Sequence, residues 1–297
     1  MSFLQAIVIG LLQGVTELFP ISSLGHSVLV PAWLGGGWAH LVSAQATGES
    51  FYLAFIVGLH VATAVALLVF FRKEWVRIVG GFAHTLRTRR IETPDQRLAW
   101  LLIVATIPAG ITGLALEHLL RTLFAKPLAA GVFLTVNGFI LAAGERFRKR
   151  AATRSLIDSH QSSTMSSEPG RQLATLEFRE AGVIGIAQVL ALFAGISRSG
   201  ITMVAGLLRG LDHEDAARFS FLLATPIILA AGVYKLPDLF GPLGNGVRPQ
   251  IVAGSVAAGL AAYVSVRFLV RWFKTRTLWP FAIYCLVAGM ASIIRFA

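Results

Sequence analysis

The stretch Gln13-Gly-Val-Thr-Glu17-Leu-Phe-Pro20-Ile-Ser22-Ser23-Leu-Gly25-His26 interrupts an apolar run that extends from residue 2 to residue 33. It places an acid, two hydroxyls and an imidazole in apolar sequence. Pro20 and Ser22-Ser23 divide the run into halves, each too short to cross a bilayer, which takes about 20 apolar residues. The pattern therefore predicts a helix, a turn and a second short helix that dips into the membrane and returns. Backbone of that kind survives at membrane depth only where protein or a wet cavity covers it. A second broken run, 181–208, carries Gln188-Val-Leu-Ala-Leu-Phe-Ala-Gly195-Ile-Ser197-Arg198-Ser199-Gly200. With a shift of 175 positions, Val8-Ile9-Gly10 and Gln13 meet Val183-Ile184-Gly185 and Gln188, Ile21-Ser22 meets Ile196-Ser197, and Gly25 meets Gly200.

Around these two segments lie six further apolar stretches of spanning length, 51–71, 98–120, 127–145, 217–236, 250–271 and 278–295. Of the 297 residues 55% are hydrophobic and only 14% charged, against about 25% charged in a soluble domain. The expectation is an all-α polytopic membrane protein with six transmembrane helices plus two re-entrant hairpins. One membrane domain then covers 1–297, with repeat 1 at about 1–150, a linker at about 151–178 and repeat 2 at about 179–297. The stretch 152–170, rich in Ser and Thr, reads as flexible and cytoplasmic.

The net charge of +11 is spread in a way that excludes a nucleic-acid partner. Of the 26 Lys and Arg, 20 fall in 72–97, 146–179, Arg209 and Arg218, and the turn Arg267–Arg276. With six spans all of these lie on one side, which the positive-inside rule makes cytoplasmic. Both termini are then outside. The runs Arg87-Thr-Arg-Arg90 and Arg146-Phe-Arg-Lys-Arg150 serve as topology signals, with affinity for anionic membrane lipid as a lesser use. Three spans per half reverse the second copy, so the first hairpin enters from outside and the second from the cytoplasm. Inverted repeats with broken helices are a transporter-like plan whose site lies where the repeats meet. No Lys or Arg precedes Arg72, so a cleaved signal is not expected and the first helix stays in the mature protein. Cys285 stands alone, which rules out a disulfide within the chain and reads as a small core residue.

The chemistry follows from the two hairpins. Gln13 and Glu17 are four apart and share a helix face; a carboxylate at membrane depth faces a wet cavity or a partner, and Arg198 is the natural structural partner. Ser22 or Ser23 can cap the second half-helix. Ser23 and His26, at i and i+3, bring a hydroxyl near a possible general base or acid, and the first turn, Gly25 included, offers free N–H groups to an anion. Arg198 between Ser197, Ser199 and Gly200 opens another helix with a guanidinium fork, hydroxyls and N–H groups about one point, which suits phosphate. His60 sits mid-span, within reach if that span lines the cavity. His40 and Glu49 are loop residues that could meet head groups. An acid, a nucleophile, a base and an anion clamp together point to phosphoryl transfer.

Gln13-x-x-x-Glu17, Pro20-x-Ser22-Ser23-x-Gly25-His26 and Gly195-x-Ser197-Arg198-Ser199-Gly200 resemble the signature motifs of the undecaprenyl-diphosphate phosphatase family, the BacA-type bacitracin-resistance proteins. The similarity extends to Arg218-Phe-Ser-Phe-Leu-Leu-Ala-Thr-Pro226 and to His60-x-x-Thr63 before Phe70-Phe71-Arg72, and so covers nearly the whole chain. The resemblance implies hydrolysis of undecaprenyl diphosphate to the monophosphate at the outer face of the inner membrane, and a divalent cation, Mg2+ or Ca2+. By motif, Glu17 would serve the metal or the acid/base step, with Gln13 at the family's Glu-or-Gln position. Ser23 would be the nucleophile, His26 its base or the leaving-group acid, and Arg198 the phosphate clamp. Ser22, Gly25, Ser197, Ser199, Gly200 and His60 would line the phosphate. Leu24 replaces a small or polar residue, Ala194 the usual Pro, and Gln13 one possible metal carboxylate. The alternative is a polyprenyl-phosphate transporter or flippase on the same inverted-repeat site. A homo-oligomer is compatible with either.

Overall fold

The structure, a computed structural model, describes residues 1–43, 51–116, 126–161, 172–240 and 246–297. Twelve helices are described: α1 (Phe3–Thr16), α2 (Ser23–Leu34), α3 (Gly36–Ser43), α4 (Phe51–Phe70), α5 (Arg72–Thr88), α6 (Pro94–Ala115), α7 (Pro127–Gln161), α8 (Phe178–Gln188), α9 (Arg198–Leu208), α10 (His213–Phe240), α11 (Arg248–Trp272) and α12 (Trp279–Phe296). Two 3₁₀ turns, Leu173–Thr175 and Val189–Leu192, complete the set, and no strand occurs among the described residues. The ends follow local rules: Ser2 and Gln5 form a capping box on α1, Thr93 and Gln96 another on α6 behind Pro94, each satisfying N–H groups that a helix start leaves free.

Both broken runs are helix–turn–helix. In the first, α1 ends at Thr16 and α2 begins at Ser23; in the second, α8 ends at Gln188 and α9 begins at Arg198. Each first half lies against a helix from the other half of the sequence. A Cβ on Gly10 of α1 would come within 2.3 Å of the Gly254 carbonyl oxygen on α11. A Cβ on Gly185 of α8 would come within 2.5 Å of that of Ala105 on α6. The glycines at these matched positions let helices approach backbone to backbone, a device suited to membranes, where packing replaces hydrophobic contrast.

Among the described residues, five helices are long and apolar enough on their own to cross a membrane: Pro94–Ala115, Pro127–Arg150, His213–Tyr234, Arg248–Trp272 and Trp279–Phe296. A sixth is reached only by joining Phe55–Phe70 to α5, from which it turns by 89°. The basic segment after Phe71, read from sequence as loop, is therefore helical for 17 residues. Apolar side chains face outward along the long helices, with Ile111 65% exposed, Leu260 65% and Ile294 77%; this is a surface that water does not favour and lipid does. The expected linker is in part helical, since α7 continues to Gln161, whereas 162–170 lie outside the described residues, as does Glu49. His40 falls in α3 and not in a loop.

Polar ties fix the basic ends. Buried Glu145 on α7 accepts from His213 Nε2 of α10 at 2.7 Å and from the N–H of Leu278, just before α12, at 2.6 Å. Arg218 Nε donates to Glu74 Oε1 at 2.6 Å, tying α10 to α5. Asp215 Oδ2 accepts from the N–H of Leu173 at 2.6 Å.

Candidate active site

The tips of the two broken runs meet. Ser22 caps α2 by accepting from the Gly25 N–H at 3.2 Å, and the same hydroxyl oxygen accepts from the N–H of Gly195 in the other run at 3.1 Å. Ser197 caps α9 in the same manner, accepting from the Gly200 N–H at 3.1 Å. Ser199 Oγ donates across to the Phe19 carbonyl at 3.2 Å. Asn137 of α7, fully buried, bridges both turns: its Nδ2 donates to the Pro20 carbonyl at 3.0 Å and its Oδ1 accepts from the Ser197 N–H at 3.0 Å. Gly195 adopts φ +119° with neighbouring backbone so close that a Cβ would lie 2.5 Å from the Ala130 carbonyl oxygen. Ser22 stands at φ +72°, ψ 106°, a backbone region that costs a non-glycine residue about 1–3 kcal/mol. The surrounding hydrogen bonds hold it there.

Four side chains at this junction, those of Gln13, Ser23, His60 and Arg198, converge on Glu17, which follows α1 and is 7% exposed. Its Oε1 accepts from Arg198 Nη2 at 2.8 Å. Its Oε2 accepts from the Ser23 hydroxyl, from Gln13 Nε2 at 3.0 Å, and lies 3.2 Å from His60 Nε2. His60 Nδ1 donates to the Ile56 carbonyl one turn earlier at 2.8 Å. A buried carboxylate is tolerated when paired and hydrogen-bonded in this way. Arg198 uses one end of its fork on Glu17, and its buried Nη1 has no partner among the described residues.

A cavity of about 280 Å3 is lined by the polar Glu17, Ser22, Ser23, His60, Ser197 and Arg198 together with apolar residues, among them Ile56 and Val57 of α4, Leu192, and Ile227, Ile228 and Ala231 of α10. Gln13, Gly25, Ser199 and Gly200 lie behind this surface, where they shape the turns.

His26 departs from expectation. Spacing of i and i+3 places it near Ser23, yet the ring turns away. Its Nδ1 lies 2.7 Å from the Ser22 carbonyl and its Nε2 2.7 Å from the Tyr284 hydroxyl of α12. A side chain at the start of a helix can bond back to a carbonyl four residues earlier, and that bond fixes the ring away from the cavity. The group on the Ser23 hydroxyl is Glu17, and the imidazole at the site is His60 from α4. Tyr284 and Asn137 escaped sequence reading because each is a lone polar residue in an apolar span; Asn137, a buried amide mid-helix, was the more visible signal.

As for a metal, no three His, Cys, Asp or Glu side chains come together among the described residues. Glu17 is the one carboxylate at the cavity; Gln13 turns its amide nitrogen to Glu17, and its buried Oε1 lacks a partner among the described residues. An ion at Glu17 would draw its remaining ligands from phosphate and water, as Mg2+ usually does.

The chain is similar to known proteins along its whole length. The profile of the family described as bacitracin resistance protein BacA matches residues 6–291. A protein of Frankia alni named undecaprenyl-diphosphatase 2 is 60% identical over 340 residues, covering 100% of this chain and 98% of its own. An undecaprenyl-diphosphatase of Mycolicibacterium paratuberculosis is 60% identical over 301 residues with the same coverage, 100% and 98%. A third, undecaprenyl-diphosphatase 2 of Chromobacterium violaceum, is 44% identical over 299 residues, with 99% of each chain covered. The protein belongs to the BacA family of bacitracin resistance proteins.

Proposed function

We propose that this multi-pass membrane protein is an undecaprenyl-diphosphatase, releasing the terminal phosphate of undecaprenyl diphosphate and leaving the monophosphate. The observation that carries the reading is the Ser23 hydroxyl donating to Glu17 beside an Arg198 Nη1 with no partner among the described residues, in a cavity lined by polar and apolar side chains. Such a mixed lining fits the two parts of a prenyl diphosphate. Ser23 Oγ attacks the terminal phosphorus and its proton passes to Glu17 Oε2, while the bond from that phosphorus to the bridging oxygen breaks and prenyl phosphate leaves. Glu17 gives that proton to the departing prenyl phosphate; water then attacks the phosphoserine, its proton passes to Glu17, and Glu17 returns it to Ser23 Oγ as the P–Oγ bond breaks and phosphate departs. Arg198 holds the equatorial oxygens through Nη1, where charge develops. His60 keeps Glu17 oriented. A divalent cation held by Glu17 would neutralise phosphate charge.

The repeat and the topology belong to the same proposal: six crossings, with α4 as the sixth, and two re-entrant hairpins in an inverted repeat. The matched glycine packing of α1 and α8, and the matched serine caps, support it. The basic residues put their loops in the cytoplasm, both termini outside and the cavity toward the outer face of the inner membrane. A lipid transporter needs an anion clamp but has no use for a hydroxyl aligned on a carboxylate, so the site favours hydrolysis.

The test is phosphate release from a C55 or shorter polyprenyl diphosphate by the purified protein with Mg2+ or Ca2+. Wild type is expected to turn over, and chelation to suppress turnover. No release by the wild type, or undiminished release by Ser23→Ala, overturns the reading.

A further inference from the structure

Ser22 is the strained point of the site, and its carbonyl oxygen accepts twice from His26, from the backbone N–H at 3.2 Å and from the ring. His26 is 4% exposed, and both ring nitrogens are committed. The Ser22 carbonyl only accepts, so Nδ1 carries the proton in the 2.7 Å bond to it. In the neutral ring Nε2 is then bare and accepts from the Tyr284 hydroxyl at 2.7 Å. The two rings lie within 13° of parallel. The Ser22 carbonyl thus sets the tautomer, and Tyr284 satisfies the bare Nε2 and anchors the far side of the ring that grips Ser22. Ser22, held at its carbonyl by His26 and at its hydroxyl by Gly25 and Gly195, keeps φ +72°, and the next residue is Ser23.

We infer that Tyr284 is a positioning residue for phosphoryl transfer, acting through the His26 ring to hold the Ser22 turn that aims the Ser23 hydroxyl at Glu17. The inference rests on Ser23 as nucleophile. Without the tyrosine hydroxyl, Nε2 is a buried acceptor deprived of its partner, the ring loses its second anchor, and the Ser22 turn gains freedom. Arg198 and the apolar lining are untouched, so substrate binding should survive while alignment suffers; small misplacements of a reacting group cost up to about 100-fold in rate.

The experiment measures kcat and KM for Tyr284→Phe, His26→Ala and the double variant, with thermal unfolding as a check on folding. Phe keeps the ring and removes only the hydroxyl. The expected result is a fall in kcat of about tenfold for Tyr284→Phe with KM within about twofold. The double variant should be no slower than His26→Ala, because one effect acts through the other. Wild-type kcat in Tyr284→Phe, a loss confined to KM, or independent multiplication of the two losses overturns the inference. A second readout needs no catalysis: ¹⁵N imidazole shifts of the full chain should show His26 protonated at Nδ1 and bare at Nε2, and Tyr284→Phe should change that signal. Any other protonation pattern in the wild type also overturns it. Were Ser23→Ala to keep full activity while the tautomer proved correct, the nucleophile assignment would fall and the grip on Ser22 would stand.

Discussion

The two broken runs share a frame and differ in what they carry. Both have a glutamine near the end of the first half-helix, a serine cap, and a glycine three residues later whose N–H donates to that cap, at 3.2 Å in one and 3.1 Å in the other. At the position after the cap, one has Ser23 and the other Arg198; where the first has Glu17, the second has Leu192. The same architecture thus presents nucleophile and acid from one side and the cation from the other. Backbone strain is divided as unequally. The first run places a positive φ on Ser22 itself, at +72°, whereas Ser197 sits at φ −80° and the second run gives its positive φ to Gly195. The two turns are of one kind, and the one that carries Ser23 is the one held in a costly conformation.

The largest effects should come from the positions where the runs diverge. Ser23→Ala removes the attacking oxygen and should lower kcat by about 10⁴-fold or more, in line with loss of a nucleophile elsewhere. Glu17→Gln should match it, since the amide cannot take the Ser23 proton. A phosphate-release assay reads both, and residual activity above about 1% in either would break the division of roles.

Next comes the clamp. Arg198 spends Nη2 on Glu17 and keeps Nη1 free, a task for a fork and not for a point charge. Arg198→Lys should therefore cost about 10²-fold in kcat/KM, and Arg198→Ala more, because Glu17 is also left without its cation. A lysine variant at wild-type kcat/KM would show that charge alone suffices in the second run.

Much of this was legible in the sequence, and the reason is the solvent. Glu17, Ser23 and Arg198 stand out because lipid makes polar side chains conspicuous, and the apolar stretches marked α6, α7, α10, α11 and α12 to within a few residues at most ends. What stayed hidden depended on direction or on distance along the chain. The i, i+3 spacing of Ser23 and His26 gives a shared face but not the way a ring points. Tyr284 lies 258 residues from His26, and Asn137 117 from Pro20; no local pattern joins them. The charges after Phe71 read as loop because they resemble topology signals, yet α5 carries them as a helix turned by 89° from α4. Pro20 and the serines signalled a turn, but a serine at positive φ has no signature in composition.

Asn137 offers a way to loosen one run while sparing the other. Asn137→Asp keeps an acceptor for the Ser197 N–H but sets a carboxylate oxygen against the Pro20 carbonyl. It should destabilise by about 1–3 kcal/mol, the cost of a spoiled buried hydrogen bond, and lower kcat more than it raises KM. Denaturant unfolding and steady-state kinetics read the two. A change confined to KM would mean that the second run, not the first, had been disturbed.

The smallest effect on stability should come from the caps, and it separates the two runs most sharply. Ser197→Gly removes a cap from an unstrained residue, and a glycine there costs only a few tenths of a kcal/mol. Ser22→Gly removes two bonds, to the Gly25 and Gly195 N–H groups, worth about 1 kcal/mol each. Glycine also relieves a backbone strain of about 1–3 kcal/mol, so the terms nearly cancel and the unfolding midpoint should barely move. Turnover should not share that balance: without the held serine the turn gains freedom, and kcat should fall several-fold where Ser197→Gly leaves it near wild type. Equal kcat in the two variants would mean that strain at Ser22 is incidental to the alignment of Ser23.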